Sequence, residues 1–229
     1  MKWWLTDVEN AIQRANQKIA PVADSVAQEL NISKNDDLFI VGGFVRDNVL
    51  SALSGKENVS KDIDLILPKR PDFDSNKNII SKKANSMGGL KIGTKNFPEI
   101  DIFQPSTTTT QMIVGEYFDF NCNALYYSHN QKRIFPSIYF YGFTADKVIN
   151  FENYIYTKYG HESMVARALK FKVMFRENFG IETTLSPAVL SFLCTMDKNT
   201  EQKMFEYTKA KVKNQVLQNR IISEYKRLK

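Results

Sequence analysis

A chain of 229 residues with 43% hydrophobic content carries enough apolar material for a buried core, which excludes a disordered tail or linker. No apolar run approaches the roughly 20 residues of a membrane-spanning helix, and Met1-Lys2-Trp3-Trp4 leads into Thr6, Asp7 and Glu9 instead of a signal-peptide core, so a cytoplasmic protein without a membrane partner is expected. The net charge of +6 is concentrated: from residue 201 onward eight basic residues stand against three acidic ones, a net of +5.

Residues 5 to 30 carry an apolar stripe of Ile12, Ile19, Val22, Val26 and Leu30 at helical spacing, with Pro21 expected to kink or split the helix. Leu38 to Val41 is an apolar, β-branched run that ends at Gly42-Gly43, where the backbone can take φ > 0 or approach a ligand closely. Val45, Val49, Leu50 and Leu53 then recur at helical spacing, so the segment reads as strand, glycine turn, helix. Such a turn aims unpaired helix N-terminal N–H groups at an anion, and Arg46 adds a fixed positive charge beside it.

Asp62 and Asp64 alternate with Ile63, Leu65 and Leu67 as on a strand with one buried face, which places both carboxylates on the other face. Like charges this close call for a divalent cation, and hard oxygen ligands suit Mg²⁺ or Mn²⁺. A polar loop at Pro68 to Lys77 is followed by an expected short helix ending near Gly88-Gly89, then strands at Leu90 to Ile92 and Glu99 to Phe103. On the last of these, Asp101 is the expected third metal ligand, with Glu99 the competitor beside Pro98. A phosphate cradle next to three such carboxylates is an apparatus for two-metal nucleotidyl transfer from an NTP.

Thr107 to Thr110 reads as a loop or helix entrance, and Asn123 to Tyr127 as another strand. Tyr126, Tyr127 and the aromatic run from Ile138 to Phe143 are expected mainly in the core. Beyond about Phe143 the pattern turns helical, with Val165, Ala168, Leu169 and Lys172 to Phe175 marking a buried helix. Cys122 and Cys194 form no zinc pattern and are expected as small core residues, while His129 and His161 are expected at the surface. In the basic end, Met204, Tyr207, Val212, Val216 and Leu217 are expected to pack inward, leaving Lys209, Lys211, Lys213, Arg220, Lys226 and Arg227 as candidate RNA-phosphate contacts.

The motif Val41-Gly42-Gly43-Phe44-Val45-Arg46-Asp47, the pair Asp62-Ile63-Asp64 and the acidic strand at Asp101 resemble the head domain of the polymerase β nucleotidyltransferase superfamily, most of all the class II tRNA CCA-adding enzymes and bacterial poly(A) polymerases. Phe118-Asp119-Phe120-Asn121-Cys122-Asn123-Ala124-Leu125 is similar to that branch's ribose-contacting segment, and Arg167-Ala168-Leu169-Lys170-Phe171 to the helix after the head. The resemblance spans roughly residues 38 to 180 and implies nucleotide-binding roles for Asp47, Asp119, Asn123 and Arg167 beside Gly42, Gly43 and Arg46. Three features depart from the family pattern. Tyr117-Phe118 stand where the family has two arginines, Pro136 stands where its flexible motif has an aspartate although Gly142 is kept, and the Glu-Asp-x-x-Arg nucleotide template is not found.

The expected fold is α+β: an N-terminal helical segment at 1–35, a nucleotidyltransferase head with a mixed sheet and flanking helices at 36–145, and a helical, neck-like region with a basic end at 146–229. The expected activity is metal-dependent addition of nucleotides to an RNA 3′ end, with tRNA as the first acceptor to consider. A toxin or defence-type transferase acting on tRNA or a protein hydroxyl, and a non-catalytic RNA-binding module on the same head, are the alternatives.

Overall fold

The structure, a computed structural model, describes residues 3–33, 35–58, 60, 62–69, 71–85, 89–103, 118–151 and 160–229. Helix α1 (Leu5–Glu29) begins where the Trp4 backbone N–H donates to the Asp7 carboxylate, and it runs unbroken through Pro21. The expected split is overturned because Pro21 lies on the exposed side while Ile19, Ala23 and Val26 are fully buried, so packing outweighs the backbone hydrogen bond the proline cannot make. Strand β1 (Phe39–Val41) and helix α2 (Gly43–Ser54) follow, then strands β2 (Ile63–Ile66), β3 (Ile79–Ala84), β4 (Leu90–Thr94), β5 (Ile100–Phe103), β6 (Leu125–Ser128) and β7 (Arg133–Pro136).

The seven strands form one mixed sheet in the order β3-β4-β5-β2-β1-β6-β7, in which β2 and β5 run parallel and the other neighbours antiparallel. Alternation sorts the two faces. Ile40, Ile63, Leu65, Ile100 and Ile102 join the main core with α1 and α2, whereas Phe39, Val41 and Ile66 point the other way into a smaller cluster with Phe118, Ala124 and Tyr126. The carboxylates of β2 and β5 stand on this second face.

The helix expected before Gly88-Gly89 is the edge strand β3, with Gly88 itself outside the described residues. Every β3 side chain except that of Ile79 is exposed, so the segment has no period-2 signature to distinguish it. Gly89 does not end a helix: its backbone exchanges hydrogen bonds with Asn85 at the β3–β4 turn, and a Cβ there would collide with the Ile102 carbonyl of β5.

After a single 3₁₀ turn at Asn121–Asn123 and β6–β7 come helix α3 (Ile138–Asp146), strand β8 (Val148–Ile149) and helix α4 (His161–Met174). Helix α4 continues into a π turn (Phe175–Phe179), followed by β9 (Thr184–Leu185), α5 (Pro187–Thr195), α6 (Lys198–Lys211) and α7 (Gln215–Leu228). Strand β9 pairs in parallel with β8, and α4 packs against α5, α6 and α7.

Tyr126, Tyr127, Phe140 and Phe143 are buried as expected, but Ile138 and Tyr139 are exposed. Cys122 is buried, whereas Cys194 lies on the exposed side of α5 and is no core residue. Val216 is likewise exposed, because it sits in the first turn of α7 ahead of the buried stripe of Gln218, Ile221 and Tyr225. Thr107 to Thr110 and Tyr117 lie outside the described residues. Among the described residues no helix is long and apolar enough to cross a membrane.

Candidate active site

Gly42 has φ 72° and ψ −144°, a conformation essentially closed to residues with a Cβ, and a Cβ there would stand 2.6 Å from Asp64 Oδ2. The glycine turn therefore lies directly against a carboxylate. Pairing fixes the rest: Asp64 is in register with Val41 of β1 on one side and with Asp101 of β5 on the other. Asp62, one pleat repeat earlier and exposed, stands at the rim, where its backbone N–H donates to Ser60 Oγ at 3.3 Å.

Burial, reinforced by Asp101 and Asp62, raises the Asp64 carboxyl to about 7, while Lys91 and Arg167 oppose the shift. Asp101 has two partners: Lys91 Nζ lies 2.9 Å from its Oδ2, and Asn85 Nδ2 donates to its Oδ1 at 3.2 Å. Lys91 also pairs with Glu99 and holds that carboxyl below its usual range. Glu99 precedes β5 and does not border the cavity, whereas Asp101 does.

A cavity of about 560 Å³, ample for a nucleotide, lies over this face. Gly42, Gly43, Ser60, Asp62, Asp64 and Asp101 line one side. The opposite side comes from α4, the π turn and α6, through Arg167, Lys170, Met174, Asn178, Tyr207 and Lys211 among others. Sequence reasoning missed Ser60, Lys170, Asn178 and Tyr207. Only Lys170 carried a usable signal, three residues after Arg167 and so on the same side of a helix.

Of the expected nucleotide contacts, Arg46 is buried and committed. Its Nε donates to Asp47 Oδ1 and its Nη1 to Asn123 Oδ1, both at 2.7 Å, and its guanidinium lies over the rings of Phe171 and Phe175. Asn123 Nδ2 donates on to Asp119 Oδ1 at 3.3 Å, and Asp119 pairs with Arg167. Arg46, Asp47, Asn123, Asp119 and Arg167 thus form one polar chain that ties the glycine turn to α4. In the basic end Lys211 borders the cavity, while Lys209, Lys213, Arg220, Lys226 and Arg227 are exposed outside it, Arg220 paired with Glu177 and Arg227 with Glu224.

No three His, Cys, Asp or Glu side chains among the described residues form a closed metal cage. The donor chemistry nonetheless fits Mg²⁺, which is usually held by one or two carboxylates plus substrate phosphates and water. Asp64 and Asp101 are the adjacent pair, and the raised Asp64 carboxyl reports negative charge in want of a cation.

A mixed sheet with a glycine turn over paired carboxylates, followed by a helical region, is the polymerase β-type nucleotidyltransferase fold. No family model and no curated protein matches the chain. Among solved structures it is similar to a CCA-adding enzyme in complex with CTP, with 16% identity and a TM-score of 0.61 over 96% of this chain and 54% of that one. It is also similar to the Thermotoga maritima CCA-adding enzyme complexed with tRNA (17% identity, TM-score 0.58, 96% of this chain and 54% of that one). A tRNA-processing enzyme in an apo form matches at 18% identity and TM-score 0.59 over 93% of this chain and 56% of that one. The chain spans about half the length of these structures.

Proposed function

We propose that the chain is a metal-dependent nucleotidyltransferase that adds nucleotide from an NTP to the 3′ end of RNA, with tRNA the first acceptor to test. The observation that carries this reading is the contact of the Gly42 turn with Asp64, itself paired in register with Asp101, at one side of a nucleotide-sized cavity. In this reading residues 36–145 form the catalytic head, 1–35 a helical support and 146–229 the neck-like region. Likeness to enzymes solved with CTP and with tRNA favours those classes of partner.

Asp62, Asp64 and Asp101 would hold Mg²⁺ or Mn²⁺, which when bound neutralises triphosphate charge and lowers the pKa of an attacking hydroxyl. The backbone N–H groups at Gly42 and Gly43, at the start of α2, face the same space and suit a phosphate. Arg46 acts through Asp47 and Asn123, fixing the turn against α4, while Asp119, Asn123 and Arg167 offer polar atoms for the ribose. Lys91 holds Asp101 in the orientation it needs beside Asp64.

The decisive experiment incubates the protein with total RNA, Mg²⁺ and each α-labelled NTP in turn. Label at RNA 3′ ends is expected. Label on protein would move the acceptor to a protein hydroxyl, and no transfer with any nucleotide would sink the enzymatic reading in favour of a binding module.

A further inference from the structure

The cations that border the cavity differ in what they already hold. Arg46 is bonded to Asp47 and Asn123, and Arg167 pairs with Asp119. Lys170 of α4 and Lys211 at the end of α6 also border the cavity, yet neither forms an ion pair with any described residue. They are available positive charge opposite the carboxylates.

We propose that Lys170, assisted by Lys211, binds the β- and γ-phosphates of the incoming nucleoside triphosphate. The inference rests on the nucleotidyltransferase reading and moves the main triphosphate contact from Arg46, the residue the sequence singles out, to the helical region. Three observations support it. Lys170 is mostly buried in the cavity wall, so its ammonium is dehydrated and unpaired without an anion. Burial, then Arg46 and Arg167, hold its pKa below the usual lysine range, which an arriving polyphosphate would reverse. Finally, a triphosphate whose α-phosphate lies by the carboxylates must leave pyrophosphate towards positive charge, and this wall supplies it.

Lysine suits this role because three rotatable donors on a flexible stem can follow the phosphates from bound triphosphate to leaving pyrophosphate. In the overall reaction the acceptor oxygen forms a bond to the α-phosphorus, the bond from that phosphorus to the bridging oxygen breaks, and pyrophosphate departs with the electron pair. Lys170 steadies the departing charge and neither gains nor loses a covalent bond.

The test measures binding of Mg²⁺–ATP, Mg²⁺–CTP, inorganic tripolyphosphate and a 3′-hydroxyl RNA oligonucleotide by calorimetry. The proteins are wild type, Lys170→Met, Lys170→Arg, Lys211→Met and the exposed control Lys198→Ala. Methionine keeps the stem volume, and thermal melts verify folding. Lys170→Met should weaken triphosphate and tripolyphosphate binding about tenfold or more, Lys211→Met less, and Lys198→Ala should change nothing. Lys170→Arg should recover part of the loss. Unchanged triphosphate affinity in folded Lys170→Met, or loss confined to the RNA oligonucleotide, would overturn the assignment. Tripolyphosphate binding that depends on Lys170 in a protein inactive towards every acceptor would sink the enzymatic reading and leave this phosphate site standing.

Discussion

The strand side and the helical side of the cavity are built on different principles. Between Gly42 and Asp101 the chain supplies a glycine turn and three carboxylates from short motifs, and strand register brings them together. The helical side draws single residues from α4, the π turn and α6, between Arg167 and Val212, each placed by helix packing. One side is anionic and geometrically fixed by hydrogen-bonded pairing, and the other carries two cations that nothing yet neutralises. The contrast separates two tasks: fixed carboxylates suit a cation demanding defined geometry, whereas mobile lysines suit a polyanion that changes shape as it reacts.

Breaking the anionic side should have the largest effect. Asp64→Ala is expected to lower nucleotidyl transfer by on the order of a thousandfold or more, because it removes the carboxylate that both neighbouring strands hold in place. Undiminished turnover of an Asp62→Ala/Asp64→Ala double variant in Mg²⁺ would refute the catalytic role. Asp101→Asn should likewise remove activity, while Glu99→Gln keeps most of it, since only Asp101 is in register with Asp64 and borders the cavity. The opposite ranking in the same labelled-nucleotide assay would transfer the ligand role to Glu99.

Gly42→Ala tests the fixed geometry itself. Its positive φ and the 2.6 Å approach to Asp64 Oδ2 forbid a Cβ, so a stability loss of about 1–3 kcal/mol is expected together with a displaced Asp64. Wild-type activity and denaturant midpoint would show that the turn relaxes freely.

Much of the strand side was legible because its signals are local. Gly42-Gly43 after an apolar run, and Asp-x-Asp in a period-2 pattern, state conformation and face within a few residues. Edge strand β3 was not legible, since one-sided pairing without burial leaves no periodicity, and Gly89 imitates a helix stop while serving the β3–β4 turn. Pro21 misled in the opposite direction, because tertiary burial of its neighbours overrode a local rule. On the helical side, Asn178 and Tyr207 meet the turn only through packing of distant helices, a long-range fact absent from any short window. Arg46 shows a further limit. Its position beside the glycines was correct, but its bonds to Asp47 and Asn123 depend on a residue far along the chain.

The exposed basic face sharpens the comparison from outside the cavity. Lys209, Lys213 and Lys226 are exposed without an ion pair to described residues, while Arg220 and Arg227 are held by Glu177 and Glu224. Replacing the three lysines with glutamine should weaken RNA binding and flatten its log–log salt slope by up to roughly 2, leaving Mg²⁺–NTP binding nearly unchanged. Substitution is the sound test, because truncating α7 would remove the buried Ile221 and Tyr225. A wild-type salt slope would place the RNA elsewhere.

The smallest expected effect is a pH dependence of stability in the metal-free protein. Below its ordinary value of 3.8 the Asp64 carboxyl is neutral in both folded and unfolded chains. Between 3.8 and about 7 the unfolded chain releases this proton while the folded protein retains it, so Asp64 lowers stability progressively across that window and by a constant amount above it. Asp64→Asn removes the ionisation. In chelator the variant should therefore melt above wild type by a margin that grows from pH 4 to pH 7, reaches a few degrees and then levels off. Added Mg²⁺ should shrink the margin by stabilising only the protein that retains the carboxylate. A margin independent of pH in chelator would mean that Asp64 is not held in a charge-deficient pocket, and the contrast between an unneutralised anionic side and an unneutralised cationic side would lose its first half.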